Sequence, residues 1–167
     1  VFGAPLFAGY DGSCQNDQRK YETLAAYGQS KTALNLFSLE LDKRAKAFGV
    51  RAYSVHPGNI WGTELLRDAP LELLQQFGFY DAQGKVVPEV IASLKNIPQG
   101  AATTIWCATS PLLTSIGGVY CEDADIATLS LEQGMTLGVR PYSVDAAAAK
   151  RLWQLTEELT GITFDVV

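Results

Sequence analysis

The feature that most restricts the fold is a direct passage from one periodic pattern to another. A long stretch from Leu24 to Phe48 stops at Gly49, and Val50-Arg-Ala-Tyr-Ser-Val-His-Pro57 follows at once. In the first stretch Leu34, Phe37, Leu41 and Ala45 recur at spacings of three and four, and Leu36 and Leu39 widen that face. Glu40, Asp42, Lys43, Arg44 and Lys46 are expected on the opposite, solvent side, the pattern of an amphipathic helix. Gly49 is its natural stop, because glycine enters the left-handed conformation that ends helices. The second stretch is short, rich in β-formers and closed by Pro57-Gly58, which predicts a strand buried on both faces of a parallel sheet. A helix joined so closely to such a strand must pack back against it, so the predicted class is α/β.

The rest of the chain continues the alternation. Val1 to Tyr21 follows no period and reads as loop. Asn59 to Asn96 carries Pro70, Gly78, Gly84 and Pro88 among short apolar groups, which predicts a long excursion with one or two short helices. Pro98 to Thr109 predicts a second helix, with proline near its first turn and Pro111 beyond its end. Gly117 to Glu122 predicts a second strand running into an acidic loop. Asp145 to Thr160 predicts a last helix, with Asp145 as N-cap, Gly161 as stop and Ala149, Leu152, Leu155 and Leu159 on its apolar face. No repeat or linker interrupts residues 1–167, so a single domain is expected.

Composition narrows the function classes. With 167 residues and 47% hydrophobic content the chain can bury a sizeable core. A charged fraction of 19% and a net charge of -5 offer no grip on phosphate backbones, so nucleic acid is not an expected partner. Cys14, Cys107 and Cys121 are odd in number and lack a C-x-x-C pair, which predicts reduced thiols, as in a cytoplasmic protein, rather than a disulfide framework or a zinc site. No apolar run reaches the about 20 residues that span a bilayer. Val1 is not an initiator methionine and no signal peptide follows it. The expectation is a chain that begins within a larger protein or was processed, with any targeting segment or anchor ahead of Val1 out of sight.

The residues that point to chemistry are Ala26-Tyr27-Gly28-Gln29-Ser30-Lys31, at the opening of the long helix. Tyr27 and Lys31 are four apart and project from one face. A free phenol titrates near pH 10 and is a weak acid-base group at neutral pH, but a neighbouring ammonium favours the phenolate. Tyr-x-x-x-Lys alone is a common spacing, equally met by a tyrosine packed on a lysine stem. Here it stands with Ala-Tyr-Gly-Gln-Ser-Lys-Thr-Ala, then Leu-Phe-Ser-Leu-Glu-Leu, then Gly-Val-Arg-Ala-Tyr-Ser-Val-His-Pro-Gly. This order resembles the active-site helix and following strand of the short-chain dehydrogenase/reductase family. Tyr21 to Tyr27, Val55 to Asn59, Gln99 to Trp106, Gly117 to Tyr120 and Arg151 to Leu155 are similar to its retinol-dehydrogenase-like branch, which includes the WW-domain-containing oxidoreductases.

The resemblance implies the carboxyl-terminal half of a Rossmann-type, doubly wound parallel sheet. No Gly-rich phosphate-binding turn occurs in the chain, so the amino-terminal cofactor-binding half is expected to be absent and this segment alone to be inactive. It further implies an NAD(P)-dependent oxidoreductase that interconverts an alcohol and a carbonyl. Tyr27 would be the general acid or base, and Lys31 would assist it and hold the nicotinamide ribose. Pro57, Gly58, Asn59 and Ile60 match the turn that lies against the nicotinamide, with Thr63 as a further cofactor contact, one place later than the family pattern because of Trp61-Gly62. The cofactor would be NAD or NADP, the substrate an apolar, bulky small-molecule alcohol or carbonyl compound, and a homo-oligomer is compatible with the family. The substrate-binding serine would lie at or before Val1, leaving Ser13 as a loop residue, while Ser30 reads as a small packing residue.

Other candidates read as structural. His56 is expected to be a hydrogen-bonded histidine at a strand end, and Glu122, Asp123 and Asp125 a solvated loop without calcium-loop spacing. Phe77, Phe79 and Tyr80 could line a substrate pocket or a local core. Two other readings stand beside the enzyme: a catalytically incomplete binding or regulatory module on the same fold, and an epimerase or dehydratase sharing Tyr-x-x-x-Lys, against which the His-Pro-Gly-Asn turn weighs.

Overall fold

A computed structural model of the protein describes residues 21–131 and 137–165. Ser13 and Cys14 lie outside the described residues. The elements follow the order α1 (Thr23–Ala45), β1 (Tyr53–His56), α2 (Leu71–Gln76), α3 (Pro88–Ala92), α4 (Ile97–Thr109), β2 (Val119–Glu122), β3 (Asp125–Ile126) and α5 (Ala146–Thr160). The sheet order is β1-β2-β3, with β1 and β2 parallel from Tyr53 opposite Val119 to His56 opposite Glu122. β3 turns back antiparallel to β2, so the sheet is mixed, which the strand patterns alone did not indicate. The parallel pair is joined through α4, the α/β crossover expected from the sequence. No described helix is long and apolar enough to cross a membrane.

Local chemistry sets the helix ends. Glu22 caps α1 by accepting from the amides of Leu24 and Ala25 at 3.3 and 2.7 Å. A short 3-10 turn, Lys46–Phe48, continues the helix until Gly49 ends it at φ 75°. α4 begins one residue earlier than its proline suggests, because Asn96 and Gln99 form a reciprocal capping box at 2.9 Å in each direction. Asp145 caps α5 by accepting from the Ala148 amide at 2.6 Å, and Gly161 closes it at φ 66°.

The core lies where α1 and α5 cover the sheet: Leu36, Ala45, Tyr120, Cys121, Ala149 and Trp153 are buried. Three sequence expectations are corrected there. Leu34 and Phe37 are substantially exposed, whereas Glu40 and Asp42, assigned to the solvent side, are buried. Their charges are compensated, Glu40 by Arg44 at 2.8 Å and Asp42 by Arg51. Within β1 only Ser54 is buried, the flanking residues being half-buried, so the strand is not covered on both faces among the described residues. On α5, Trp153 rather than Leu159 carries the buried stripe. Its ring stacks on Phe37 at 5.6 Å and lies 4.5 Å below the Arg44 guanidinium, while its Nε1–H donates to Glu157 at 2.9 Å.

Asp42 ties α1 to the start of β1. It accepts from Arg51 Nε and a second guanidinium nitrogen at 2.9 and 3.0 Å, and from the Ala52 amide at 3.0 Å. The next strand passes so close that a Cβ on Gly117 would lie 2.0 Å from an Asp42 oxygen. Only glycine allows that approach.

Candidate active site

The anchoring of Asp42 fixes where the other end of α1 lies. Tyr27 is fifteen residues before Asp42, about 22 Å along the helix. From Ala52, bonded to Asp42, the strand direction reaches Pro57 after about 17 Å and Gly58 after about 20 Å. Since α1 packs on β1 and the chain turns back between them at Gly49, these lengths bring Tyr27 to the level of the Pro57-Gly58 turn, at the carboxyl end of the parallel strands. At the end of β2 the Tyr120 phenol is held above its usual range, first by burial and then by the neighbouring Glu122 carboxylate. Crevices at strand carboxyl ends are where open α/β sheets hold ligands.

Tyr27 and Lys31 share one exposed face of α1, as their spacing requires. Tyr27 is 41% exposed, which leaves the phenol open to a reacting group. Lys31 Nζ lies 5.1 Å from the centre of the Tyr27 ring, a cation-π contact over the ring face rather than a bond to the hydroxyl. Ser30 Oγ donates to the Tyr27 carbonyl at 2.7 Å, a hydrogen bond within the helix.

The turn after β1 is built around a left-handed Gly58, φ 85°. Its amide donates to His56 Nδ1 at 3.1 Å, so His56 closes the turn, and burial holds the imidazole below its usual titration range. Pro57 and Asn59 are exposed, Gly58 and Ile60 half-buried. Asn59 O accepts from the Lys95 amide at 2.9 Å. Among the described residues no backbone bond is made by the amides of Asn59 and Ile60. Thr63 is exposed and extended, and its hydroxyl makes no capping bond to the short 3-10 turn it precedes. α4 presses on the turn from behind: a Cβ on Gly100 would lie 2.2 Å from Ile60 Cδ1.

The excursion begins and ends at this turn. Ile60 and Lys95 form an isolated parallel bridge, with the Trp61 amide donating to Lys95 O at 3.1 Å. Between them α2, α3 and a small hairpin joined at Tyr80 and Val86 carry an aromatic cluster, Trp61 to Phe79 at 6.1 Å and Phe77 to Phe79 at 6.0 Å. The acidic loop is not simply solvated. Glu122 is buried and accepts from the Gly138 amide at 2.6 Å, and Asp123 pairs with Lys95. Lys95 carries no motif, so nothing in the sequence singled it out.

Together these elements describe an α/β protein with a tyrosine-lysine pair level with a strand-end turn. No family model matches the chain. A probable oxidoreductase of Streptomyces lividans is 40% identical over 82% of this chain and 45% of its own length. The short-chain dehydrogenase/reductase prx1 of Penicillium roqueforti is 33% identical over 89% of this chain and 42% of its own. The WW domain-containing oxidoreductase of Danio rerio is 32% identical over 85% and 29%. Among solved structures, an uncharacterized protein from Mycobacterium Paratuberculosis superposes with a TM-score of 0.50 at 28% identity, covering 88% of this chain and 42% of that one. Over most of its length the chain is thus a homologue of the short-chain dehydrogenase/reductase oxidoreductases, matching what their carboxyl-terminal portion would be. It spans less than half the length of each of these relatives.

Proposed function

We propose that the natural protein interconverts an alcohol and a carbonyl with NAD or NADP, and that Tyr27 moves the proton at the substrate oxygen. The observation that carries this reading is the Tyr27 and Lys31 pair on the exposed face of a helix packed on β1, whose length brings the pair level with the Pro57–Ile60 turn. When bound, the nicotinamide cofactor supplies hydride exchange with the substrate carbon. The exposed Tyr27 hydroxyl donates to the carbonyl oxygen in reduction and accepts the proton in oxidation. Lys31, four residues on, provides positive charge that favours the phenolate and reaches the ribose hydroxyls on swinging from the ring face. The Asn59 and Ile60 amides hold the carboxamide, and the Thr63 hydroxyl adds a polar contact. The Trp61, Phe77 and Phe79 cluster favours an apolar substrate.

The test is Tyr27→Phe in the natural protein. Carbonyl reduction followed by NAD(P)H absorbance should lose about two to four orders of magnitude in kcat, with thermal stability unchanged. Wild-type turnover in this variant would refute the role of Tyr27. Cofactor binding without turnover by the wild type would instead favour the binding-module reading.

A further inference from the structure

We infer that Lys95 is a positioning residue that latches the strand-end turn and the neck of the 61–94 excursion together. This rests on the nicotinamide reading only in the expectation that the latched turn is the one facing the cofactor. Lys95 makes contacts in four directions. Its amide donates to Asn59 O, and its carbonyl accepts from the Trp61 amide. Its stem crosses Gly58 where any side chain would stand: a Cβ there would lie 2.7 to 2.9 Å from Lys95 Cδ, Cε and Nζ. Its ammonium pairs with Asp123, and the side chain is only 26% exposed.

The turn that presents Asp123 is conformationally unusual. Asp123 and Ala124 both have positive φ, 50° and 56°, as in the tight turn of a β-hairpin between β2 and β3. Asparagine and glycine are the residues that suit those positions, and alanine is not. Such a backbone persists where its surroundings hold it. Here α4 holds it from one side, Thr103 Oγ1 accepting from the Ala124 amide at 3.1 Å, and Lys95 holds it from the other. The β2-β3 turn is therefore a fixed post to which Lys95 ties the neck of the 61–94 excursion. Loss of the pair should loosen the turn and the neck while leaving Tyr27 and its proton transfer in place.

The experiment uses three variants of the natural protein, with Lys95→Arg as a conservative control. Lys95→Met keeps the stem over Gly58 and removes the charge; Asp123→Asn keeps a residue suited to positive φ and removes the partner; the third combines both. Each single variant should raise the dissociation constant for NADH or NADPH and the KM for a test carbonyl by about two- to fivefold, with kcat changed less than about twofold. The double variant should lose no more than either single, and Lys95→Arg should restore most of the affinity. Hydrogen exchange at the Trp61 and Lys95 amides should quicken in all but the arginine variant. Unaltered exchange at those amides, or additive losses in the double variant, would overturn the latch. Absence of nicotinamide binding by the wild type would overturn the proposed cofactor but leave the exchange measurement to decide the latch.

Discussion

Gly100→Ala provides a test in which propensity and packing predict opposite signs. Gly100 is buried inside α4, and replacing a helical glycine by alanine ordinarily stabilises by about 0.8 to 1.0 kcal/mol. Its added Cβ, however, would lie 2.2 Å from Ile60 Cδ1 and 2.8 Å from Cγ1. Favourable carbon contacts lie at about 3.5 to 4.0 Å, so the turn or the helix must give way. Overpacking of this kind costs about 1 to 3 kcal/mol, and the depth of the overlap selects the upper half of that range. The net expectation is a destabilisation of about 1 to 2 kcal/mol, at about 2 to 4 °C in Tm for each kcal/mol in a domain of this size. Ile60→Val alone should cost about 0.5 to 1.5 kcal/mol, but in the Gly100→Ala background it removes the nearer of the two clashing atoms and should cost less than it does alone, or nothing. Thermal or denaturant unfolding of the four proteins completes the cycle. A stabilised Gly100→Ala protein, with Ile60→Val equally costly in both backgrounds, would refute the close packing of α4 on the turn.

Other expectations follow from the same contacts. Asp42→Ala should lower Tm clearly, since it strands Arg51 and the Ala52 amide, whereas Glu64→Ala, which breaks an exposed pair with Arg67, should change stability by no more than about 0.5 kcal/mol; equal effects in a melting assay would contradict the tie between α1 and β1. Burial lowers the His56 titration point below its unfolded value near 6.5, so its contribution to stability is complete above that pH and is lost as pH falls through the folded value. His56→Asn, which keeps an acceptor for the Gly58 amide, should flatten the decline in stability below pH 6.5; an unchanged pH profile would exclude His56 as its source. Cys121 is buried with its thiol pushed up to about 12, first by burial and then by its hydrogen bond with the free thiol of Cys107, so iodoacetamide at pH 8 should modify it only after denaturation, as peptide mass spectrometry would show. Rapid native labelling would contradict its burial.

Much of this was legible from periodicity and punctuation. Gly49, Asp145 and Gly161 end or begin helices as their backbone and side-chain chemistry require. The helix-to-strand passage through Gly49 put Tyr27 and the Pro57–Ile60 turn at one end of the sheet once the helix was known to fold back. What periodicity misread was the inward side of α1. Hydrophobicity counts a carboxylate as outward, but Asp42 meets a guanidinium and an amide from a neighbouring strand, and Glu40 meets Arg44, so both enter the interior with their charges answered. Phe37 is exposed for the converse reason: one face of its ring stacks on Trp153 and the other remains open. The pairing of Lys95 with Asp123 stayed hidden because it joins residues twenty-eight apart through backbone turns that no local pattern encodes.

The pinched neck of the excursion bears on how such a protein diversifies. Asn59 and Trp61 are hydrogen-bonded to Lys95, so the segment leaves and re-enters the fold at a single place. For a loop closed in this way, doubling its length adds only about 0.6 kcal/mol of closure entropy. Insertions, deletions and wholesale exchange between residues 61 and 94 can therefore be absorbed without shifting the register of β1, the capping of α4 or the Pro57–Ile60 turn. A change of length or sequence in the excursion is thus separated by one clamp from the turn, the strand and the helix that it joins.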